Sequence, residues 1–385
     1  MKRILVINTK YKNFGGEDAS ILDELKFLRD HYEVDYLEYD NGSKITIFDI
    51  VAFFTNSNKR SNDILINKLN TFNPDIVYVQ NTWFKSNLGI FQILEKANIK
   101  TILKIHNFRF ECTSSFNINH HLNSKNFCPK CGLVKNNFTF FNKYFRNSYI
   151  KSFFVNLFGK RYLRILKNNN LKILVLNNLY KNKLYELGIA KNKVATFYNP
   201  IEIPIKSLYN SKSDYVVYAG ALTIEKGIYQ LLDTWDKIEN NLKLYVIGSG
   251  NIEDQLKERY MSKNIEFLGF KKNNEVLDYI KNSRAVITTT RLYEGQPRLL
   301  TEASIFSVPS IYPSSTGMNE YFPKNYEFNF EQFNYSNLEE IIKKLQNEKL
   351  LNTESKRVRE HITELLEYSI LHKRFNDLVF QEDSK

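Results

Sequence analysis

The sequence predicts an α/β protein built as two doubly wound, parallel-sheet halves facing across a cleft. Three observations carry this. Strand-like and helix-like stretches alternate from the first residue, an order that builds a parallel sheet with helices on both faces. The alternation breaks at Tyr198-Asn199-Pro200-Ile201-Glu202-Ile203-Pro204 and then restarts. The 385 residues suffice for two cores of ordinary domain size.

In chain order, Arg3–Asn8 is a short apolar strand, and Asp18–His31 carries Ile21, Leu22, Leu25 and Leu28 at helical spacing. Strand Glu33–Glu38, helix Asp63–Phe72, strand Asp75–Gln80, a helix near Leu88–Asn98 and strand Thr101–His106 follow. An irregular loop, Asn107–Asn137, holds all three cysteines, and a basic aromatic stretch runs over Phe138–Lys167. Leu171–Asn177 returns to strand and Leu179–Leu187 to helix. This gives a first domain over 1–200, a linker over 201–213 flanked by Pro200, containing Pro204 and polar from Ser207, and a second domain over 214–365. The second domain begins with strand Tyr215–Ala219, loop Gly220–Gly227 and helix Ile228–Ile238. Strand Leu242–Ile247, turn Gly248-Ser249-Gly250, helix Glu253–Met261, strand Ile265–Leu268, helix Asn274–Lys281 and strand Ala285–Thr290 continue it. Pro309–Tyr312 is a short strand, and helices fill most of the remainder; the last, 366–385, is expected to pack back on the first domain.

Composition narrows the class. No apolar run reaches the length of a membrane span, since even Ile45–Phe54 contains Asp49. The apolar stretch after Met1 is too short for a signal peptide, and three cysteines fit a reducing compartment, so the expected location is cytoplasmic. Net charge is +12, and it is concentrated: Lys125–Lys193 holds fifteen lysines and arginines and a single acid, Glu186. Such a segment suits an anionic partner, whether lipid headgroups, a phosphorylated acceptor or nucleic acid, or is simply a solvated basic face. Within it, Phe138–Lys167 interleaves aromatics with basic residues, which suits either a helix lying on anionic lipid or a core-packed helix with a basic outer face.

Several constellations could carry chemistry. Gly15-Gly16 follows the first strand and opens the first helix, where backbone N–H groups can approach an anion; an ordinary strand–helix turn reads the same way. The spacing is not the dinucleotide fingerprint, which disfavours a nicotinamide cofactor. Lys226, in Glu225-Lys226-Gly227, stands at a helix start and can act as a point charge on a phosphate, with Gly248-Ser249-Gly250 a second strand-end turn. His106 ends a strand and can exchange a proton or orient a hydroxyl. Glu294 and Glu302 stand eight positions apart around Gly295, Gln296, Pro297 and Arg298, so that Glu294 sits in a loop after a strand and Glu302 nearly two turns into a helix. Cys112, Cys128, Cys131 and His120 or His121 could supply four ligands of a structural zinc clip, or be free thiols in a packed loop. There is no Asp-x-Asp, no P-loop and no Gly-x-Ser-x-Gly.

Taken in order, these pieces resemble the family 4 retaining glycosyltransferases of the GT-B fold, with its two Rossmann-like domains. The resemblance runs through Gly15-Gly16, His106-Asn107-Phe108-Arg109 with the downstream cysteines, Asn199-Pro200, Glu225-Lys226-Gly227, Gly248-Ser249-Gly250, Phe267-Leu268-Gly269-Phe270, and Glu294-Gly295-Gln296-Pro297 with Glu302-Ala303. It implies a nucleotide-diphosphate sugar, UDP- or GDP-linked, held by the second half without a catalytic metal. A lipid-linked or polysaccharide acceptor would be met by the first half, at the inner face of a membrane. Lys226 would contact the diphosphate and Glu302 the ribose. Glu294 would face the sugar, with Gly295, Gln296 and Pro297 lining sugar and phosphate and Phe270 bordering the base. Gly16 would approach phosphates or acceptor, and His106 would lie beside the transferred sugar. One departure stands out: the family carries arginine where this chain has Ala221, and Arg291 and Arg298 are the nearby charges that could replace it. Rival readings are a sugar-nucleotide epimerase or phosphorylase of related fold, an inactive sugar-nucleotide sensor, or a nucleic-acid binder, for which no groove-reading motif is found.

Overall fold

The computed structural model describes residues 1–11, 15–44, 46–108, 110, 148–203, 213–239, 241–260, 264–314 and 317–380. The chain divides into two compact units. One holds the described residues up to Ile201 together with the chain from Tyr368 onward, and the other covers Glu202–Glu367.

The first unit is a parallel sheet of β1 (Arg3–Lys10), β2 (Glu33–Asp40), β3 (Ile76–Val79), β4 (Lys100–Ile105), β5 (Leu171–Val175) and β6 (Val194–Thr196). Its strand order is β2-β1-β3-β4-β5-β6. Ile4, Leu5, Val6 and Ile7 of β1 are all buried, as a strand covered on both faces requires. The helices are α1 (Gly16–Arg29), α2 (Ile47–Thr55), α3 (Lys59–Phe72), α4 (Gly89–Lys96), α5 (Tyr149–Asn168) and α6 (Asn178–Glu186). From β1 the chain steps to β2 on one side and to β3 on the other. The switch point, where such sheets bind ligands beyond their carboxyl ends, therefore lies between β1 and β3.

The second unit repeats the plan with β7 (Tyr215–Ala219), α7 (Ile228–Lys237), β8 (Lys243–Ile247), α8 (Glu253–Arg259), β9 (Ile265–Gly269), α9 (Asn273–Asn282), β10 (Ala285–Ile287), α10 (Arg298–Ile305), β11 (Ser310–Pro313), β12 (Asn329–Phe330), α11 (Tyr335–Lys344) and α12 (Glu348–Leu366). The order β12-β11-β10-β7-β8-β9 puts its switch point between β7 and β10.

A last helix, α13 (Tyr368–Val379), belongs to the first unit. Leu371, Phe375 and Val379 are fully buried. Phe375 meets Tyr78 and Phe197, Tyr32 donates to Asn376, and His372 stacks on His31 at 3.9 Å between ring centres.

Local structure departs from the sequence reading in several places. The expected strand Ala285–Thr290 ends at Ile287. Thr288 still donates to Ile311, but Thr289 then turns its hydroxyl onto the Gly227 carbonyl and Thr290 onto Glu294, which takes both out of the ladder. Helix α10 starts at Arg298 with Pro297 as its N-cap, so Glu302 stands little more than one turn in, not nearly two. The whole of α2 went unread, although Thr46 and Asp49 form a reciprocal capping box and Asn56 closes the helix in the left-handed region. Helix α5 buries Val155, Phe158, Tyr162 and Leu166, with Phe158 against Trp83 and Tyr162 against Phe110. From Val155 onward it is core-packed, while Tyr149, Ile150 and Phe153 of its first turns stay exposed.

Candidate active site

The second unit gathers the loops that follow β7, β8, β9 and β10 at the carboxyl end of its sheet. Leu222 donates to Ser249, Gly220 to Ile247 and Gly248 to Gly269. The β7 and β8 loops run backbone against backbone. A Cβ on Gly248, whose φ is +137°, would stand 2.0 Å from the Gly220 carbonyl oxygen, so only glycine fits there. Gly227 is equally constrained: φ is +70°, and a Cβ would lie 2.0 Å from the Thr289 carbonyl oxygen. The β7 loop is thereby bolted to the end of β10, and the Arg291 amide donating to the Glu225 carbonyl at 2.9 Å adds a second tie.

This lacing brings Lys226 and Glu294, 68 residues apart in sequence, into an ion pair of 2.6 Å across the switch point. Glu294 Oε1 also accepts from the Thr290 hydroxyl at 3.1 Å, and that hydroxyl accepts from the Leu292 amide. Both partners of the pair are partly exposed, so the ammonium stays within reach of a ligand. An ammonium has three N–H donors, and Glu294 takes one. Burial, and then the Glu294 charge, push the nearby Tyr218 phenol upward. It stays protonated and donates to the Ala221 carbonyl.

The other expected residues are distributed around this pair. Gly295 and Pro297 are buried in the loop leading to α10, and Gln296 is half-buried. Glu302 is buried and accepts from Arg298 Nε at 2.8 Å. Phe270, just past β9, is 75% exposed. Of the two arginines weighed as replacements at position 221, Arg298 therefore has its Nε engaged by Glu302. The Arg291 Nε is buried with no hydrogen-bond partner among the described residues. Burial pushes the pKa of the Tyr335 phenol upward, and the Arg291 charge acts on it in the opposite, weaker sense. Ala221 itself is exposed.

In the first unit, Gly15 caps α1 and donates to Asp18 at 3.0 Å. A Cβ on Gly15 or Gly16 would meet nothing within 4 Å among the described residues, and the open space suits close approach by a ligand. Asn107 donates to Glu17 at 2.8 Å, which brings the end of β4 to the start of α1. His106 Nε2 is 2.7 Å from Gln80 Oε1. The Gln80 amide nitrogen donates to Glu24, which also accepts from Tyr78 and, at 2.7 Å, from Lys104. The acceptor oxygen of Gln80 thus faces His106, and the imidazole carries its proton on Nε2. Burial, and then the Lys104 charge, push its pKa well below the usual histidine value, so it is neutral at physiological pH. Burial likewise lowers Lys104, while Glu24 pulls it back up. Sequence reading missed this Lys104–Glu24–Gln80 relay and missed Thr290.

Cys112, Cys128, Cys131, His120 and His121 lie outside the described residues, as does Arg109. Among the described residues no cluster of three or more His, Cys, Asp or Glu could hold a metal, and no helix is long and apolar enough to cross a membrane.

Comparison with known proteins agrees with this layout. Residues 201–364 match the family described as Glycosyl transferases group 1. A stretch of 161 residues is 26% identical to the amylovoran biosynthesis glycosyltransferase AmsD of Erwinia amylovora. That match spans 39% of this chain and 45% of the relative. HepE of Anabaena, solved with UDP, superposes over 98% of this chain and 99% of its own at a TM-score of 0.68 and 12% identity. Sucrose-phosphate synthase from Thermosynechococcus elongatus covers 98% of both chains at a TM-score of 0.71 and 12% identity. The chain therefore has the two-domain GT-B type of fold, and its residues 201–364 are similar to the glycosyl transferases group 1 family.

Proposed function

We propose that the protein is a retaining, metal-independent glycosyltransferase. It moves a sugar from a nucleotide-diphosphate sugar to a lipid-linked or polysaccharide acceptor in bacterial surface-glycan biosynthesis, working at the inner face of the cell membrane. The observation that carries this is the Lys226–Glu294 pair at the switch point of a group 1 domain, with the buried Arg291 Nε lacking a partner beside it. Glycosyl transfer needs the charge on the departing diphosphate stabilised as the glycosidic bond breaks. Lys226, with those backbone N–H groups of the Gly220 and Gly248 loops not already bonded between strands, supplies that charge without a metal, and the chain has no Asp-x-Asp.

Glu294 positions Lys226 and faces the developing positive charge on the sugar. No covalent intermediate is assigned to it, and transfer with retention follows from acceptor attack on the face the diphosphate leaves. Glu302 holds the ribose. The first unit serves the acceptor, with His106 as a neutral imidazole whose Nδ1 accepts a hydrogen bond. A uridine nucleotide is favoured because the HepE structures hold UDP and UDP-glucose. The glycan acceptor follows the amylovoran relative and the lipopolysaccharide outer core galactosyltransferase WaaB, 15% identical at a TM-score of 0.63.

Incubation with a panel of UDP- and GDP-sugars tests the reading. One UDP-sugar should release UDP, faster when a glycan acceptor is present, and should raise the melting temperature. At a hundredfold excess over Kd the added stability is about 2.7 kcal/mol. Release of nucleotide from no donor, with no thermal shift from any nucleotide, would overturn it. Interconversion of donors without an acceptor would make the protein an epimerase instead.

A further inference from the structure

The first unit carries an apolar surface that the donor and acceptor chemistry does not use. In α2, Ile47 is 71% exposed, Phe48 76% and Val51 50%, and Ile50 and Phe54 are close behind. The helix has a single charged residue, Asp49, and it is buried, paired with Lys85 at 2.7 Å and capping the helix through Thr46. Its outer face is therefore apolar. At its far end Phe54 packs edge-on against Phe154 of α5, and Arg161 of α5 donates to the Phe54 carbonyl. The first turns of α5 continue the surface with Tyr149, Ile150 and Phe153, each more than half exposed. A contiguous apolar patch of this kind on two adjoining helices marks an interaction site.

The charge around it selects the occupant. Lys44 precedes α2, Lys59 and Arg60 follow it, Lys151 lies beside Ile150, and all four are exposed. Helix α5 contains five basic residues and no acid. We infer that α2 and the start of α5 form a docking face for an anionic lipid bilayer, with Phe48, Val51 and Ile150 entering the acyl boundary and the flanking cations meeting headgroup phosphates. The inference rests on the reading of an enzyme that works at a membrane. It joins the first turns of α5, whose later apolar residues are buried, to a helix that lies outside the basic aromatic segment.

The full chain is tested by flotation with vesicles of phosphatidylcholine plus phosphatidylglycerol, beside phosphatidylcholine alone, with UDP binding measured on every sample. The wild type should float with the anionic vesicles, and less so at high salt. Phe48→Ser/Val51→Ser should weaken that binding by at least about tenfold, Lys59→Glu/Arg60→Glu should weaken it comparably, and both should leave UDP binding unchanged. In a separate arm, Phe48→Trp keeps an aromatic ring at the exposed position and reports depth: the indole emission gained by this variant should shift to the blue and be quenched by brominated acyl chains. Equal flotation with both vesicle types, flotation indifferent to the α2 variants, or no quenching of that added emission would each overturn the docking face. So would a concentration-dependent dimer abolished by Phe48→Ser/Val51→Ser without vesicle binding, since a second copy would then be the occupant. Loss of UDP binding in the wild type would sink the glycosyltransferase reading and leave the vesicle result standing by itself.

Discussion

Glu294→Ala lowers kcat/KM for sugar transfer by about 10²–10³-fold, the scale on which removal of one preorganised electrostatic group acts, and it leaves the melting temperature nearly unchanged. Both halves of that expectation come from the geometry. The carboxylate holds the Lys226 ammonium at 2.6 Å and is itself held by Thr290, so its removal frees the cation that should meet the diphosphate. On the proposed reading it also removes the negative charge that faces the reacting sugar. The pair is partly exposed, and such pairs contribute only about 0–1 kcal/mol to folding. Glu294→Gln keeps the shape and a hydrogen bond to Thr290 but loses the charge. It should fall nearer to the alanine variant than to the wild type in turnover. Undiminished turnover in Glu294→Ala would remove this residue from the site even if the transferase activity stood.

The largest effect on stability belongs to the first unit. Lys104 and Glu24 are fully buried and paired at 2.7 Å, and the Lys104 ammonium also lies 4.8 Å from the centre of the Phe197 ring. Removing one member of such a pair leaves an uncompensated charge in a medium that solvates it poorly, at about 3–5 kcal/mol. Glu24→Ala strands the Lys104 ammonium, the Tyr78 hydroxyl and the Gln80 amide together. We expect it to sit at the upper end of that range, with a loss of about 10–20 °C in melting temperature for a unit of this size. Glu24→Leu/Lys104→Met should cost clearly less than the two single changes added, because it removes both charges at once. Chemical denaturation of the four proteins reads the cycle. Additive losses would mean that the pair is not coupled in solution.

The two effects also mark what could and could not be read from residues alone. The alternating order of strands and helices, the break near Pro200 and the glycine turns were legible, because period and turn chemistry are local properties. Glu294 and Lys226 were legible as separate motifs. Their pairing was not, since it depends on β10 lying beside β7, a non-local strand order. Glu24 is instructive in a different way. It stands on the same stripe of α1 as Ile21, Leu25 and Leu28, all buried, and a carboxylate on an apolar stripe signals a buried partner. Lys104 sits between Leu103 and Ile105 in a strand covered on both faces. Pattern reading takes a lone lysine there as a solvent-facing position, whereas the sheet points it at α1. The α2 stretch receives no element from the sequence, because its apolar run is weighed there only as a membrane span; its Ile47, Phe48, Ile50, Val51 and Phe54 face outward. The Ala221 departure was legible in the sequence, whereas the Arg291 amide donating to Glu225, which sets that arginine's backbone beside the Lys226 loop, was not.

The central claim is that Lys226 meets the diphosphate of the donor, and calorimetric titration of UDP into the wild type and into Lys226→Ala tests it most directly, with uridine as the phosphate-free control. A charge-assisted hydrogen bond contributes about 1.5–3 kcal/mol. UDP should therefore bind Lys226→Ala about tenfold to a hundredfold more weakly, and uridine should show no such difference. Equal UDP affinity in the two proteins, or a loss that uridine shares in full, would contradict the account.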